Sequence, residues 1–193
     1  LETNKNTYNR DRVTGSVFLT YEFAKNLSGT GKVMLDQYSQ LTTSNQAQGT
    51  NGAADGSYLE NVRRYSETNT EFILSYKTDI GKDFKLSLNA GGNQMRRITT
   101  VIQGFIPALE LPNFYNLSNL KTGSVFQGAN NYQEQRIGSV LGFGQLSYKD
   151  YIFIDFSGRN DWASVLPVQN NSFFYPAISG SIVLNDILNI DKS

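Results

Sequence analysis

Neither histidine nor cysteine occurs in the 193 residues. Without cysteine there is no disulfide, no thiolate metal site and no Cys nucleophile. Without histidine the commonest general base, the commonest zinc ligand and every His-based triad are gone. Enzyme chemistry would have to rest on carboxylates, Lys or Tyr, and the expectation is that the chain is not an enzyme and carries no cofactor. Excess charge is also lacking, because Lys plus Arg equals Asp plus Glu at 17 each. Phosphate neutralisation dominates nucleic-acid binding, so a nucleic-acid partner is not expected. No apolar run approaches the roughly 18 residues of a transmembrane helix, and residues 1–12 lack the apolar core of a signal peptide. The chain holds two Met against 11 Tyr, 12 Phe and 17 Gly, with many Asn, Ser, Thr and Gln, a composition for strands and turns rather than helices. It reads as all-β.

Period-two alternation carries that reading further. In RVTGSVFLTYEF, residues 12–23, Val13, Gly15, Val17, Leu19, Tyr21 and Phe23 occupy one phase. Arg12, Thr14, Ser16, Phe18, Thr20 and Glu22 occupy the other, polar with one exception. Six more such runs follow, at 30–41, 63–78, 84–97, 135–148, 151–162 and 176–185. Several are longer than the five or six residues usual in soluble strands and match the ~9–11 of a tilted membrane-spanning strand. Short links at 25–29, 79–83 and 149–150 alternate with long ones at 42–62, 98–134 and 163–175. Outer-membrane barrels show this asymmetry of short periplasmic turns and long extracellular loops. The first and seventh strands then run the same way, toward the periplasm. An unclosed sheet would leave backbone groups facing lipid, so seven strands are expected to be part of a larger barrel. A soluble antiparallel sandwich or barrel shares the alternation and remains the rival on pattern alone.

Other motifs are weaker. Gly29-Thr30-Gly31-Lys32 lacks the spacing, the following Ser or Thr and the helix of a phosphate loop. Asp155 and Asp161 share a strand phase but are six residues apart, ~20 Å along a strand, too far for a glycosidase pair. Residues 45–57 lack the spaced acids of a calcium loop. The polar phase instead gives candidate lumen-facing residues: Arg12, Glu22, Lys32, Asp36, Glu71, Lys85, Asn93, Asp155, Arg159 and Asp161. Tyr21, Phe23, Tyr76, Tyr148 and Trp162, on the apolar phase, suit the aromatic girdles of a membrane interface. Trp162, with Phe173 to Tyr175 across the next loop, is expected at the outer rim. Phe105, Phe114, Tyr115, Phe126 and Tyr132 are candidate contacts in an extracellular loop.

GRNDWASVLPVQNNSFFYPAIS, residues 158–179, closely resembles a segment of the SusC/RagA-type TonB-linked outer-membrane transporters. In that family a strand ends in a similar Gly-Arg-Asn-Asp-Trp corner and the next begins after Phe-Tyr-Pro. LPNFYNLSN (111–119) and GSVLGFGQLSYKDYIFIDFSGRNDW (138–162) also look like the family's sequences. The resemblance implies that residues 1–193 form part of one barrel domain of about 22 strands whose lumen is plugged, with the plug and the remaining strands outside the sequence. It further implies the outer membrane of a Gram-negative bacterium, a SusD-like surface lipoprotein as lid, energy through TonB, and oligosaccharides or peptides as cargo. The competing functions are a passive porin, a secretion-associated barrel, or, in another class, a soluble carbohydrate-binding module.

Overall fold

The computed structural model describes residues 4–184. Seven strands form one antiparallel sheet in sequence order, each paired with its neighbours along the chain. They are β1 (Lys5–Ala24), β2 (Leu27–Thr50), β3 (Ala53–Ile80), β4 (Phe84–Ile106), β5 (Gln127–Tyr148), β6 (Ile152–Ala163) and β7 (Ser172–Ile182). A single 3-10 turn, Val168–Asn170, sits between β6 and β7.

The expected strands are all present, and most are longer than the alternation suggested. Strands β2 and β3, of 24 and 28 residues, run through most of the stretch expected as a long loop at 42–62. They meet in a two-residue turn, Asn51-Gly52, where Gly52 has φ 81°. Short and long links therefore do not alternate throughout. Strands β4 and β5 likewise extend to Ile106 and back to Gln127, leaving 107–126 as the one long loop among the described residues. Phe105 and Tyr132 thus lie on strands β4 and β5, not in the loop; Phe114, Tyr115 and Phe126 lie in it. The backbone ladder needs no apolar side chain, so runs such as Gln40–Thr50 pair as well as the amphipathic ones while showing no contrast between faces. Of the seventh expected strand, Asn185 lies outside the described residues.

The turn from β5 to β6 is tight. Lys149 and Asp150 have φ of 50° and 60°, and the amide of Tyr151 donates to the carbonyl of Tyr148 at 3.2 Å. Two consecutive positive φ values are the type I′ pattern that matches strand twist, and Asp tolerates them better than most residues.

The chain divides into two compact units. The described residues of the first fall within Leu1–Gly15, Leu35–Glu67 and Arg97–Glu134; those of the second fall within Ser16–Met34, Thr68–Arg96 and Gln135–Ser193.

The second unit has two contrasting faces. Register across β5, β6 and β7 puts Val140, Leu146, Ile154, Phe156, Trp162 and Ile178 on one of them, with Ser139, Gln145, Asp155, Arg159 and Ser179 on the other. Its apolar face is exposed: Val17 is 77%, Leu19 75% and Ile178 80% accessible. Phenylalanines lie over glycines on that face. A Cβ at Gly144 would come 2.6 Å from the ring of Phe156, one at Gly29 2.8 Å from Phe23, and one at Gly158 3.3 Å from Phe174. Aromatic cover over a cross-strand glycine fixes register and smooths the outer surface.

The first unit holds the small hydrophobic cluster. Ile106 and Leu109 are fully buried and Tyr58 nearly so, with Tyr115, Leu117 and Leu120 against them. Four of these six come from the 107–126 loop, which is therefore a packed structure in its own right.

Candidate functional site

The polar face of the second unit brings together part of what the sequence marked. Asp161 accepts from Arg159 Nε at 2.6 Å, and Arg159 Nη2 reaches Ser139 at 3.0 Å. Asp155 accepts from Gln145 at 2.8 Å, Asn93 donates to Asn69, and Lys85 Nζ bridges both oxygens of Asp150 at 2.8 and 2.6 Å. Lys85, Asp150 and Gln145, together with Lys25, Lys77 and Asp79, line a cleft of about 630 Å³. Asp155 and Asp161 are thus held by different donors and form no acid pair. Glu22, Lys32 and Glu71 lie on β1, β2 and β3 in this unit.

The aromatic group beyond β6 does not stay together. Register pairs Phe173 with Asp161 and Tyr175 with Arg159, while Phe174 pairs with Asn160 on the face that carries Trp162. Alternation sends consecutive residues to opposite faces. Only Phe174 therefore shares the apolar side with Trp162, while Phe173 and Tyr175 lie on the polar side at the same end of β6 and β7. Of the girdle candidates, Tyr21, Phe23, Tyr76 and Trp162 are exposed and Tyr148 half-buried, its ring 4.9 Å from that of Phe84.

In the first unit a row of side chains crosses four adjacent strands. From β1, the Arg10 guanidinium lies 5.2 Å from the ring of Tyr8 and 4.5 Å from that of Tyr38 on β2. Tyr38 stacks on Tyr65 of β3, with centroids 4.9 Å apart and planes 12° from parallel. Beyond Tyr65 comes Arg97 of β4, 5.9 Å from that ring. Beside the row, Arg12 grips Asp36 with two bonds of 2.7 Å, and Arg97 Nε donates to Glu67 at 2.8 Å. The Tyr65 hydroxyl donates to the same carboxylate. These contacts hold both acids in the charged form: Tyr65, with Arg97, lowers the pKa of Glu67, and Arg12 lowers that of Asp36. Of this row the sequence marked only Arg12 and Asp36. Arg10, Tyr38 and Arg97 were missed because they meet residues 27 or more away along the chain, and Tyr8, Tyr65 and Glu67 because the alternation gave no reason to single them out. The available signal was the spacing Tyr8-x-Arg10-x-Arg12 and Tyr65-x-Glu67, which puts each set on one strand face.

The loop 107–126 is latched by one side chain. Asn119, 5% exposed, accepts the amide of Leu111 at 2.9 Å and donates to the carbonyls of Leu111 at 2.9 Å and Phe114 at 2.6 Å. Asn116 closes an Asx turn onto Ser118, and Lys121 bonds Asp55 at 2.7 Å. Burial, then a hydrogen bond to Glu60, pushes the Tyr58 phenol up to about 12. A raised phenol pKa means that its stabilising effect is full below the ordinary value near 10 and is lost as pH rises from there through about 12. A phenolate difference titration of the protein against Tyr58→Phe is expected to isolate one tyrosine that ionises near 12; ionisation near 10 would contradict the buried geometry.

No protein-family model matches the chain, and no curated protein matches it. Solved structures do. Against the RagAB peptide transporter the TM-score is 0.81 at 20% identity, over 97% of this chain and 21% of that one. Against the RagAB peptide importer it is 0.86 at 18% identity in the closed-closed state, over 100% of this chain and 22% of that one. In the open-open state the figures are 0.85 and 20%, over 100% and 21%. The chain has the fold of a RagAB transporter segment. It spans about a fifth of the chains it matches.

Proposed function

We propose that this chain is a wall segment of an outer-membrane import barrel of the SusC/RagA type. The observation that carries the reading is the exposed apolar belt of the second unit, on a sheet that superimposes over its full length on peptide importers. In water such a surface would invite association; against acyl chains it is the stable arrangement. The belt occupies Ser16–Phe23 on β1 and Phe84–Gly92 on β4, eight and nine residues, close to the ~9–11 that span a bilayer. Tyr21, Phe23, Tyr76 and Tyr148 then mark one interface and Trp162 the other.

The polar strand faces form the lumen wall, on which Glu22, Lys32, Glu71, Lys85, Asn93, Asp155, Arg159 and Asp161 of the second unit, and Arg12 and Asp36 of the first, present both charge signs to a polar oligomer. The packed loop 107–126 meets a SusD-like lipoprotein or the cargo, through Phe114, Tyr115 and Phe126. Energy comes through TonB, by way of parts of the protein outside this sequence, in the outer membrane of a Gram-negative cell. Catalysis has no place in this scheme. Two measurements test it. The whole protein should resist unfolding in SDS until heated, whereas a soluble module would not. Replacing 107–126 in the whole protein by a short Gly-Ser link should abolish cargo uptake and lipoprotein association; if both persist, the loop assignment is wrong.

A further inference from the structure

Among the described residues, one charge in the row across β1 to β4 has no carboxylate bonded to it. Arg12 is held by Asp36 through two bonds and Arg97 by Glu67, so the two carboxylates of the row are taken. Arg10 donates instead to a neutral acceptor, Gln40 Oε1, at 2.8 Å, and its guanidinium is exposed between two tyrosines. Three arginines against two acids leave the row with one cation in excess, and that cation is Arg10. Stacking fixes the plane of the guanidinium and leaves its fork of donors at the edge, the geometry that receives a carboxylate.

Ring orientation narrows the ligand. Tyr38 has Arg10 4.5 Å from its centroid and Tyr65 stacked on it, and Tyr65 in turn spends one face on Tyr38. The two rings of the row thus stack on each other, and neither is left with both faces to offer a sugar. The row offers edges: phenolic hydroxyls and guanidinium N–H groups, which suit carboxylates and amide carbonyls. Four adjacent strands at about 4.8 Å spacing place β4 roughly 14 Å from β1, the length of four or five extended peptide residues.

We propose that Arg10, stacked between Tyr8 and Tyr38, anchors a carboxylate of a peptide cargo lying across the Tyr38–Tyr65–Arg97 row. The proposal rests on the import reading above and deepens it by naming the cargo class and its anchoring group. The test uses the whole transporter with its lipoprotein, reconstituted in vesicles. The probes are a peptide of about six neutral residues with a free C-terminus, the same peptide amidated, the amide carrying one Asp, and a uronate oligosaccharide. The free acid and the Asp-bearing amide are expected to bind roughly tenfold or more tightly than the neutral amide. In Arg10→Gln that difference should vanish, and in Arg10→Lys part of it should remain, because the charge stays while the fork is lost. Equal binding of acid and amide by the unaltered protein, or undiminished discrimination by Arg10→Gln, overturns the anchor. A uronate that binds as well as the peptide acid, with the same dependence on Arg10, overturns the assignment to peptide. If the unaltered transporter binds and imports no peptide at all, the failure lies in the import reading itself.

Discussion

Replacing Asn119 with alanine is expected to release the loop 107–126, raising its rate of proteolytic cleavage in the folded protein about a hundredfold. The side chain is buried and makes three hydrogen bonds to the backbone of residues 111 and 114. Alanine removes all three and leaves the Leu111 amide and the carbonyls of Leu111 and Phe114 without these partners. An intramolecular hydrogen bond contributes about 0.5–1.5 kcal/mol net, so the local loss is about 3 kcal/mol, and that is two decades or so in the opening equilibrium. Aspartate does not rescue: it can accept from the Leu111 amide, but it offers no N–H to the carbonyls of Leu111 and Phe114 and sets a charge against them. Asn116→Ala is the control. That residue is exposed and supports a local turn, so its loss is expected to cost about 1 kcal/mol or less. Limited proteolysis between 111 and 119, with amide exchange at Leu111, distinguishes the two. If Asn119→Ala is as protected as the unaltered protein, the hydrophobic cluster of Ile106, Leu109 and Tyr115 alone holds the loop.

How the sequence misjudged this region follows from solvent. The strands visible as alternation began or ended near 12, 41, 63, 97 and 135, close to the limits of the second unit at 16, 34, 68, 96 and 135. Contrast between faces exists only where one face is apolar. Val17, Leu19 and Phe72 are legible because Ser16, Thr20 and Glu71 stand between or beside them. In the first unit the strands show little such contrast: Thr42–Thr50 is polar on both sides, and Ile98, Val101, Ile102 and Phe105 of β4 fall on both phases. Gln37 bonds Ser66 on one face, while Tyr38 stacks on Tyr65 on the other. No periodicity reports such a strand, and a run such as Thr42-Thr43-Ser44-Asn45-Gln46 reads as loop although its backbone is fully laddered. The Tyr–Arg row was illegible for a second reason. Its members are one residue or two from each of four strands, and only register brings them side by side.

Gly91→Ala is expected to have the larger effect, parting β3 from β4 and unfolding the sheet rather than weakening it. Gly91 lies within β4 at a φ that any residue can adopt, so conformational freedom is not what the position requires. Space is. A Cβ there would overlap the carbonyl oxygen of Phe72 and come 2.7 Å from Cδ1 and 3.0 Å from Cα of Ile73. The Ile73 methyl can rotate away, but a carbonyl and a Cα in the β3–β4 ladder move only if the strands part, which breaks the hydrogen bonds beside the Ser75–Asn89 and Asn93–Asn69 contacts. Overpacking against side chains costs about 1–3 kcal/mol; against backbone in a closed sheet the cost exceeds about 4 kcal/mol, enough to unfold many domains. Gly15 and Gly31, on β1 and β2, have nothing within 4 Å of an added Cβ. Alanine at either is expected to be neutral, or to stabilise by about 0.4–1 kcal/mol through a less flexible unfolded chain. SDS gel mobility before and after heating reads all three variants in one experiment. Should Gly91→Ala migrate as a folded barrel alongside the other two, β3 and β4 are not as closely apposed at Phe72 and Gly91 as the structure places them.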